Sequence, residues 1–411
     1  MFSRIFFLVL LTGVGGTNVS FSGTPAACAK PESSVPFSAG MDDYSTYRIP
    51  SISEAPDGTL LALAEGRRYS ASDTGDIDLV LRRSHDGGRT WEPMRVLWDD
   101  AGNTCGNPCP VVDSMGTIHL LMTWNRGDDV ESRIIAGESH DIRRIFVMRS
   151  SDQGETWSEP IEISETTRKS DWTWYATGPG VGIRLENGPH AGRLVIPCDH
   201  VERDTKAMRS HVIISDDHGL TWRIGGTAPE PGVNECEVAE LPDGSLLLNM
   251  RNYDRSEPSR QISRSVDGGL TWIDQRHDAV LIEPICQASF RRVGTEGENA
   301  MTYLFSNPAS EKKRERMTIR MSTDGAKTWK YSRKIDDRPA AYSCLVALQD
   351  GTFGCLYETG DRTAYETITF IRFSESWVRG TEAVRKNTEE RDVENGKRDG
   401  TVPAPGEYSD R

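Results

Sequence analysis

Two arginines stand inside apolar, strand-like segments, and they are the first chemical signal in the sequence. Arg48 lies between Tyr47 and Ile49, and Arg251 follows the apolar run Leu246 to Met250. A permanently charged guanidinium in such a place is costly unless it is paired or lines a cavity. Its planar fork of donors suits a carboxylate ligand. Carboxylates give the second signal. Asp73 lies in Ser70-Ala71-Ser72-Asp73-Thr74-Gly75, a loop-like stretch of small residues suited to a mobile acid, with Asp76 and Asp78 close behind. Taken alone, these three read as solvated loop carboxylates or, having only oxygen ligands, a weak cation site. Glu235 and Glu237 are two residues apart, so a regular strand turns both to one face. If that face lines a pocket, their repulsion raises one carboxyl pKa. Cys105 and Cys109 fit buried thiols or one local disulfide, and nothing nearby supplies the further ligands of a zinc site.

A repeat announces the elements that must position these side chains. Ser84-His85-Asp86-Gly87-Gly88-Arg89-Thr90-Trp91 sets a pattern S-x-D-x-G-x-T-W that recurs at Ser150, Ser215 and Ser265. A fifth copy starts at Ser322 with Ala326 in the usual glycine slot, and an eroded sixth is read at Phe373-Ser374-Glu375-Ser376-Trp377. The starts are 66, 65, 50 and 57 residues apart. Each copy makes sense as a hairpin turn: the Asp accepts backbone N–H bonds, the Gly supplies positive φ, and Thr-Trp opens the next strand. Strand signals such as Val212-Ile213-Ile214 precede the turns, and no long segment has helical periodicity. The reading is an all-β fold, a six-bladed β-propeller of four-stranded antiparallel blades over residues 36–379.

The flanks read differently. Arg4 followed by Ile5 to Leu11 and then small residues up to Ala29 resembles an export signal over residues 1–29, its apolar run too short to span a bilayer. Pro25 fits lipid attachment at Cys28 poorly, so the expectation is a secreted or periplasmic protein without a transmembrane span. From residue 380 onward 14 of the last 32 residues are charged, which reads as a mobile tail. With 48 Lys+Arg against 62 Asp+Glu, the net charge of −14 argues against nucleic acid or anionic lipid as a partner. A local arginine cluster can still attract a small anion. A monomer is expected.

Tyr47-Arg48-Ile49-Pro50 ahead of a series of Asp boxes resembles the signature of the exo-α-sialidases, or neuraminidases. Ala64 to Arg68, Asp73 to Arg83, Gly106 to Pro110, Asn234 to Val238, Asn249-Met250-Arg251, Asn307-Pro308 with Arg314, and Ala341-Tyr342-Ser343 resemble family segments in the family's order. The resemblance implies a site for sialic acid, whose anomeric carbon carries a carboxylate. Arg48, Arg251 and Arg314 would grip that carboxylate, with Arg67 a further substrate-binding residue. Tyr342 would be the nucleophile, since a neutral phenol avoids repulsion by the substrate's acid group. Glu235 would be its base and Asp73 the general acid. Glu237 stands where the family pattern has an uncharged residue. Trp172, Trp174 and Tyr175 could contact sugar or pack in the core. The activity implied is a retaining exo-α-sialidase acting on sialylated glycoconjugates without cofactor or metal. The alternatives are a propeller that only binds sialoglycans, or a related enzyme giving transfer or intramolecular products.

Overall fold

The Asp boxes fold through their own side chains. In the first copy Ser84 Oγ donates to Asp86 Oδ1 (2.8 Å), as does Thr90 N (2.9 Å), while Thr90 Oγ1 donates to Asp86 Oδ2 (2.6 Å) and Gly88 N to Ser84 Oγ (2.9 Å). The same set surrounds Asp152, Asp217 and Asp267. It surrounds Asp324 as well, where Ala326 takes up the glycine role at φ 59°. The eroded sixth copy is not such a turn. Ser374 instead caps a short helix, Glu375–Arg379, by accepting from Trp377 N.

The computed structural model describes residues 30–294 and 301–380. The expected leader with Cys28, and the tail beyond Gly380, lie outside the described residues. Strands between the turns form antiparallel meanders in a propeller arrangement. Four sheets have the size of one blade. Three have four strands each: Val233–Glu240 to Ile273–Ile282, Ser289–Arg292 to Tyr331–Lys334, and Ala340–Ala347 to Thr367–Phe373 completed by Glu32–Ser38. The fourth, Trp172–Thr177 to Arg223–Thr227, has five, because Ile183–Arg184 pairs with Leu194–Glu202.

The remaining strands, Thr46–Glu54 to Ile161–Glu162, form one eight-stranded sheet. The expectation of six separate four-stranded antiparallel blades is therefore corrected: four blade-sized sheets stand beside one large sheet. The cause is local. Ile77 pairs in parallel with Thr104, Ile77 N donates to Asn103 O (3.1 Å), and Thr104 Oγ1 donates to Gly75 O (3.0 Å). Box spacing counts turns and carries no information about such a bridge.

The ring closes through its two ends. Glu32–Ser38 pairs with Thr367–Phe373, joining the start of the described chain to its last strand. Thr46–Glu54 then packs between Ala340–Ala347 and Thr104–Val112, so the leading strands surround a hub. Apolar faces of neighbouring sheets stack against each other, as where Leu60, Ala62 and Val80 meet Leu356, Ile368 and Phe370. Each such large aliphatic or aromatic side chain contributes about 1.5–3 kcal/mol through burial. The seven described cysteines are all buried free thiols, so Cys105 and Cys109 form no disulfide. Among the described residues no helix is long and apolar enough to cross a membrane.

Candidate active site

The strands nearest the hub are not regular. The pairing register slips between Arg48 and Ser51, Gly106 and Cys109, Trp172 and Tyr175, Val233 and Cys236, and Ala340 and Ser343. A bulge re-aims the side chain beside it. Bulges in five of the leading strands, with Ser289–Arg292 the regular exception, turn Arg48, Asn107, Trp174, Glu235 and Tyr342 into a common cavity of about 320 Å³. Ile49 shows the strain involved, since a β-branched residue at φ 59° is an outlier. Glu358 holds it there: Oε1 accepts from Ile49 N (2.9 Å) and Arg48 Nε (2.8 Å), and Oε2 accepts from Tyr342 N (3.0 Å). One buried carboxylate thus fixes two strands.

The seven residues that the resemblance assigned to catalysis and substrate binding all line this cavity: Arg48, Arg67, Asp73, Glu235, Arg251, Arg314 and Tyr342. The Tyr342 hydroxyl donates to Glu235 Oε1 at 2.5 Å. Arg251 Nη1 donates both to Glu235 Oε2 (2.6 Å) and to the Tyr342 oxygen (3.0 Å). The guanidinium carbons of Arg48 and Arg314 lie 5.3 and 5.7 Å from the Tyr342 ring centroid. Arg314 reaches in from the turn between Tyr303–Pro308 and Met317–Ser322 and donates to Tyr365 O at its hydroxyl (3.0 Å) and to Ile285 O (3.2 Å). Burial first, and the charge of Glu235 second, hold the Tyr342 phenol well above its ordinary pKa. The phenol is therefore neutral until a base removes its proton.

Asp73 stands at the mouth, its side chain 63% exposed. It pairs with Arg67 Nη1 (2.7 Å) and lies 3.8 Å from Arg48 Nη1. Partial enclosure raises its pKa, but Arg67 and Arg48 outweigh that and leave it below the usual aspartate value. Arg67 itself is buried and gripped by Glu65 Oε2 (2.6 Å). The alternatives to Asp73 are not in the cavity. Asp78 is buried under the Tyr44 hydroxyl (2.5 Å) and Arg68, and Asp76 also faces Arg68 (3.4 Å).

Glu237 departs from the expectation of a shared pocket wall. The bulge at Val233/Cys236 breaks the period of two, and Glu237 turns into the hub beneath the cavity. There Oε2 accepts from Ser289 Oγ (2.9 Å) and Phe290 N (2.6 Å). A Cβ on Gly180 would sit 2.0 Å from Glu237 Oε1, so only glycine fits there. Its carboxyl is pushed up to about 7 by burial, against those hydrogen bonds and Arg291; repulsion by Glu235 is not the cause. The aromatic cluster divides as well. Trp174 lines the cavity with Arg143 over its ring (3.9 Å), while Trp172 and Tyr175 are core, Trp172 stacked on His200 (3.6 Å).

Sequence reading did not single out Glu358, Arg143, Glu131, Asp199, Tyr253 or Tyr365. For Glu358 and Asp199 a signal was present, an acid inside the apolar strands Phe353–Thr359 and Leu194–Glu202. Among the described residues the one cluster with metal-ligand types, Asp128, Asp129 and His140, lies outside the cavity. Both Asp129 oxygens already accept from His140 N (2.9 and 3.0 Å) and one from Asp141 N (3.1 Å).

Comparison with known proteins identifies the family. A model of the BNR repeat-like domain matches residues 58–355. The chain is 34% identical over 354 residues to a sialidase of Micromonospora viridifaciens, covering 83% of this chain and 53% of that protein, so it spans about half of that relative's length. It is 32% identical over 370 residues to an exo-alpha-sialidase of Aspergillus fumigatus, covering 82% of this chain and 85% of the relative. Among solved structures, the Hadza microbial sialidase Hz136 matches with a TM-score of 0.74 at 32% identity, over 83% of this chain and 68% of that one. The chain belongs to the sialidase family of glycoside hydrolases.

Proposed function

We propose that the protein is a retaining exo-α-sialidase that removes terminal α-linked sialic acids from glycoconjugates through a covalent intermediate on Tyr342. The observation that carries this reading is the 2.5 Å contact between the Tyr342 hydroxyl and Glu235, with Arg251 bonded to both. Arg48, Arg251 and Arg314 hold the substrate carboxylate as charged, directional donors. Glu235 then takes the phenolic proton as Tyr342 O attacks the anomeric carbon. The bond to the leaving oxygen breaks as Asp73 donates its proton there. In the second half Asp73 removes a proton from water, the water oxygen attacks the same carbon, and the Tyr342 oxygen leaves and regains its proton from Glu235. Two inversions give net retention.

The arginines explain how Asp73 serves as an acid although Arg67 and Arg48 lower its pKa. A substrate carboxylate on Arg48 cancels part of the positive field acting on Asp73, which raises its pKa when a proton is needed. Arg251 stabilises the tyrosine oxygen as it leaves.

The test is release of 4-methylumbelliferone from its α-sialoside, with the first-formed sugar followed by NMR. The expectation is free α-sialic acid before mutarotation. A β-anomer, a 2,7-anhydro product or no release would contradict the reading. In Tyr342→Phe, with an unchanged unfolding midpoint, activity should fall at least about 100-fold.

A further inference from the structure

The five-stranded sheet supplies none of the reacting groups or carboxylate-gripping arginines. Yet it puts Trp174, Ala176 and Asp199 into the cavity wall. Asp199 is 0% exposed and comes from the middle of Leu194–Glu202, paired with Ala176 on one side and Ser210 on the other. Its Oδ2 accepts from Asn234 Nδ2 at 2.9 Å. Among the described residues its Oδ1 has no hydrogen-bond partner. A buried polar atom left unpaired is costly, and in a site wall that cost is recovered when a ligand pairs with it. Neighbouring side chains on the strand are not part of the cavity wall: Cys198 belongs to the core and His200 stacks on Trp172.

We propose that Asp199 is a specificity-determining residue whose Oδ1 hydrogen-bonds a hydroxyl on the part of the bound acid sugar remote from its carboxylate. The inference rests on the sialidase reading above. Burial, and next the charge of Glu235, drive the Asp199 carboxyl well above its ordinary pKa, which favours its protonated, neutral form. A neutral carboxyl beside Asn234 suits a hydroxyl, which both donates and accepts; it offers no advantage to a methyl group or a cation. Two exocyclic substituents bring such a hydroxyl, the glycerol chain and an N-glycolyl group.

The test compares kcat/KM for three 4-methylumbelliferyl α-sialosides: the N-acetyl form, the N-glycolyl form, and an N-acetyl form whose glycerol chain is shortened by periodate and borohydride. Wild type should prefer the hydroxyl-bearing member of one pair by about tenfold or more. A preference for the intact chain assigns the glycerol, and one for N-glycolyl assigns the acyl hydroxyl. Asp199→Ala should bring that ratio to within about twofold of unity, with Asp199→Leu used if the alanine variant does not fold. Asp199→Asn keeps a donor and an acceptor in the same outline and should retain most of the preference. A merely structural role lowers both substrates equally, so wild-type ratios persisting in Asp199→Ala or Asp199→Leu would overturn the inference. Wild type silent on all three sialosides would overturn the sialidase reading instead.

Discussion

Asp73 and Glu237 are both carboxylates near the hub, and their surroundings push them in opposite directions. Asp73 faces two arginines at an open mouth and is held low; Glu237 has only neutral hydrogen-bond donors in contact and is pushed up to about 7 by burial. For Glu237 the folded pKa lies above the unfolded value of about 4.5. Its full contribution to stability is present below the unfolded value and is lost as pH rises through the folded one. Glu237→Gln, which keeps the acceptor but not the charge, should match wild type near pH 4.5 and exceed it by about 2–3 kcal/mol at pH 8. Urea unfolding at the two pH values measures this; a difference independent of pH would refute it. A pair two apart in sequence was not enough to predict this separation, because the turn of Glu237 away from the cavity depends on a bulge that no residue pattern signals.

Turns and bulges are the two devices that build each sheet, and they differ in legibility. An Asp box is complete within eight residues, so its hydrogen bonds are implied by its own sequence, and even Ala326 at φ 59° does not change them. The bulges depend on the strand alongside. Arg48 and Ile49 need Glu358, which is 310 residues from Arg48. The fused eight-stranded sheet likewise follows from one pairing of Ile77 with Thr104 between separate strand–turn units. No box residue lines the cavity, so loss of a box turn should cost stability rather than chemistry. Asp217→Ala removes the acceptor of Ser215 Oγ, Thr221 N and Thr221 Oγ1. We expect a loss of about 1–3 kcal/mol with kcat/KM of the folded fraction unchanged. A stability within about 0.5 kcal/mol of wild type would mean that the box is dispensable.

At the scale of the whole molecule, the site exists only because the ring closes. Glu235 and Tyr342 are 107 residues apart, and Arg48 reaches Glu358 across nearly the full described chain. The closing strand Glu32–Ser38 holds this arrangement, and Phe37 is its anchor, 1% exposed and 5.1 Å from the ring of Tyr47. Phe37→Ala should lose about 3–5 kcal/mol, read as a lower denaturant midpoint. Because Tyr47 precedes Arg48, the same variant should lose activity before global unfolding as denaturant rises. Coincident loss of activity and fluorescence would show instead that closure and site melt as one unit. Sequence located part of the cavity through resemblance to family segments, but Glu131, Arg143, Asp199, Tyr253 and Tyr365 lie outside those segments, and the distances and the sheet division depend on contacts remote in the chain.

The most direct test is to trap the intermediate. Incubation with a 3-fluorosialosyl fluoride slows breakdown of the glycosyl-enzyme, and mass spectrometry of the intact protein followed by peptide mapping finds the attachment point. The account predicts one added fluorosialyl residue, on Tyr342, absent from Tyr342→Phe. Attachment at Glu235 or Asp73, or turnover of the probe with no adduct under conditions that saturate the site, would contradict it.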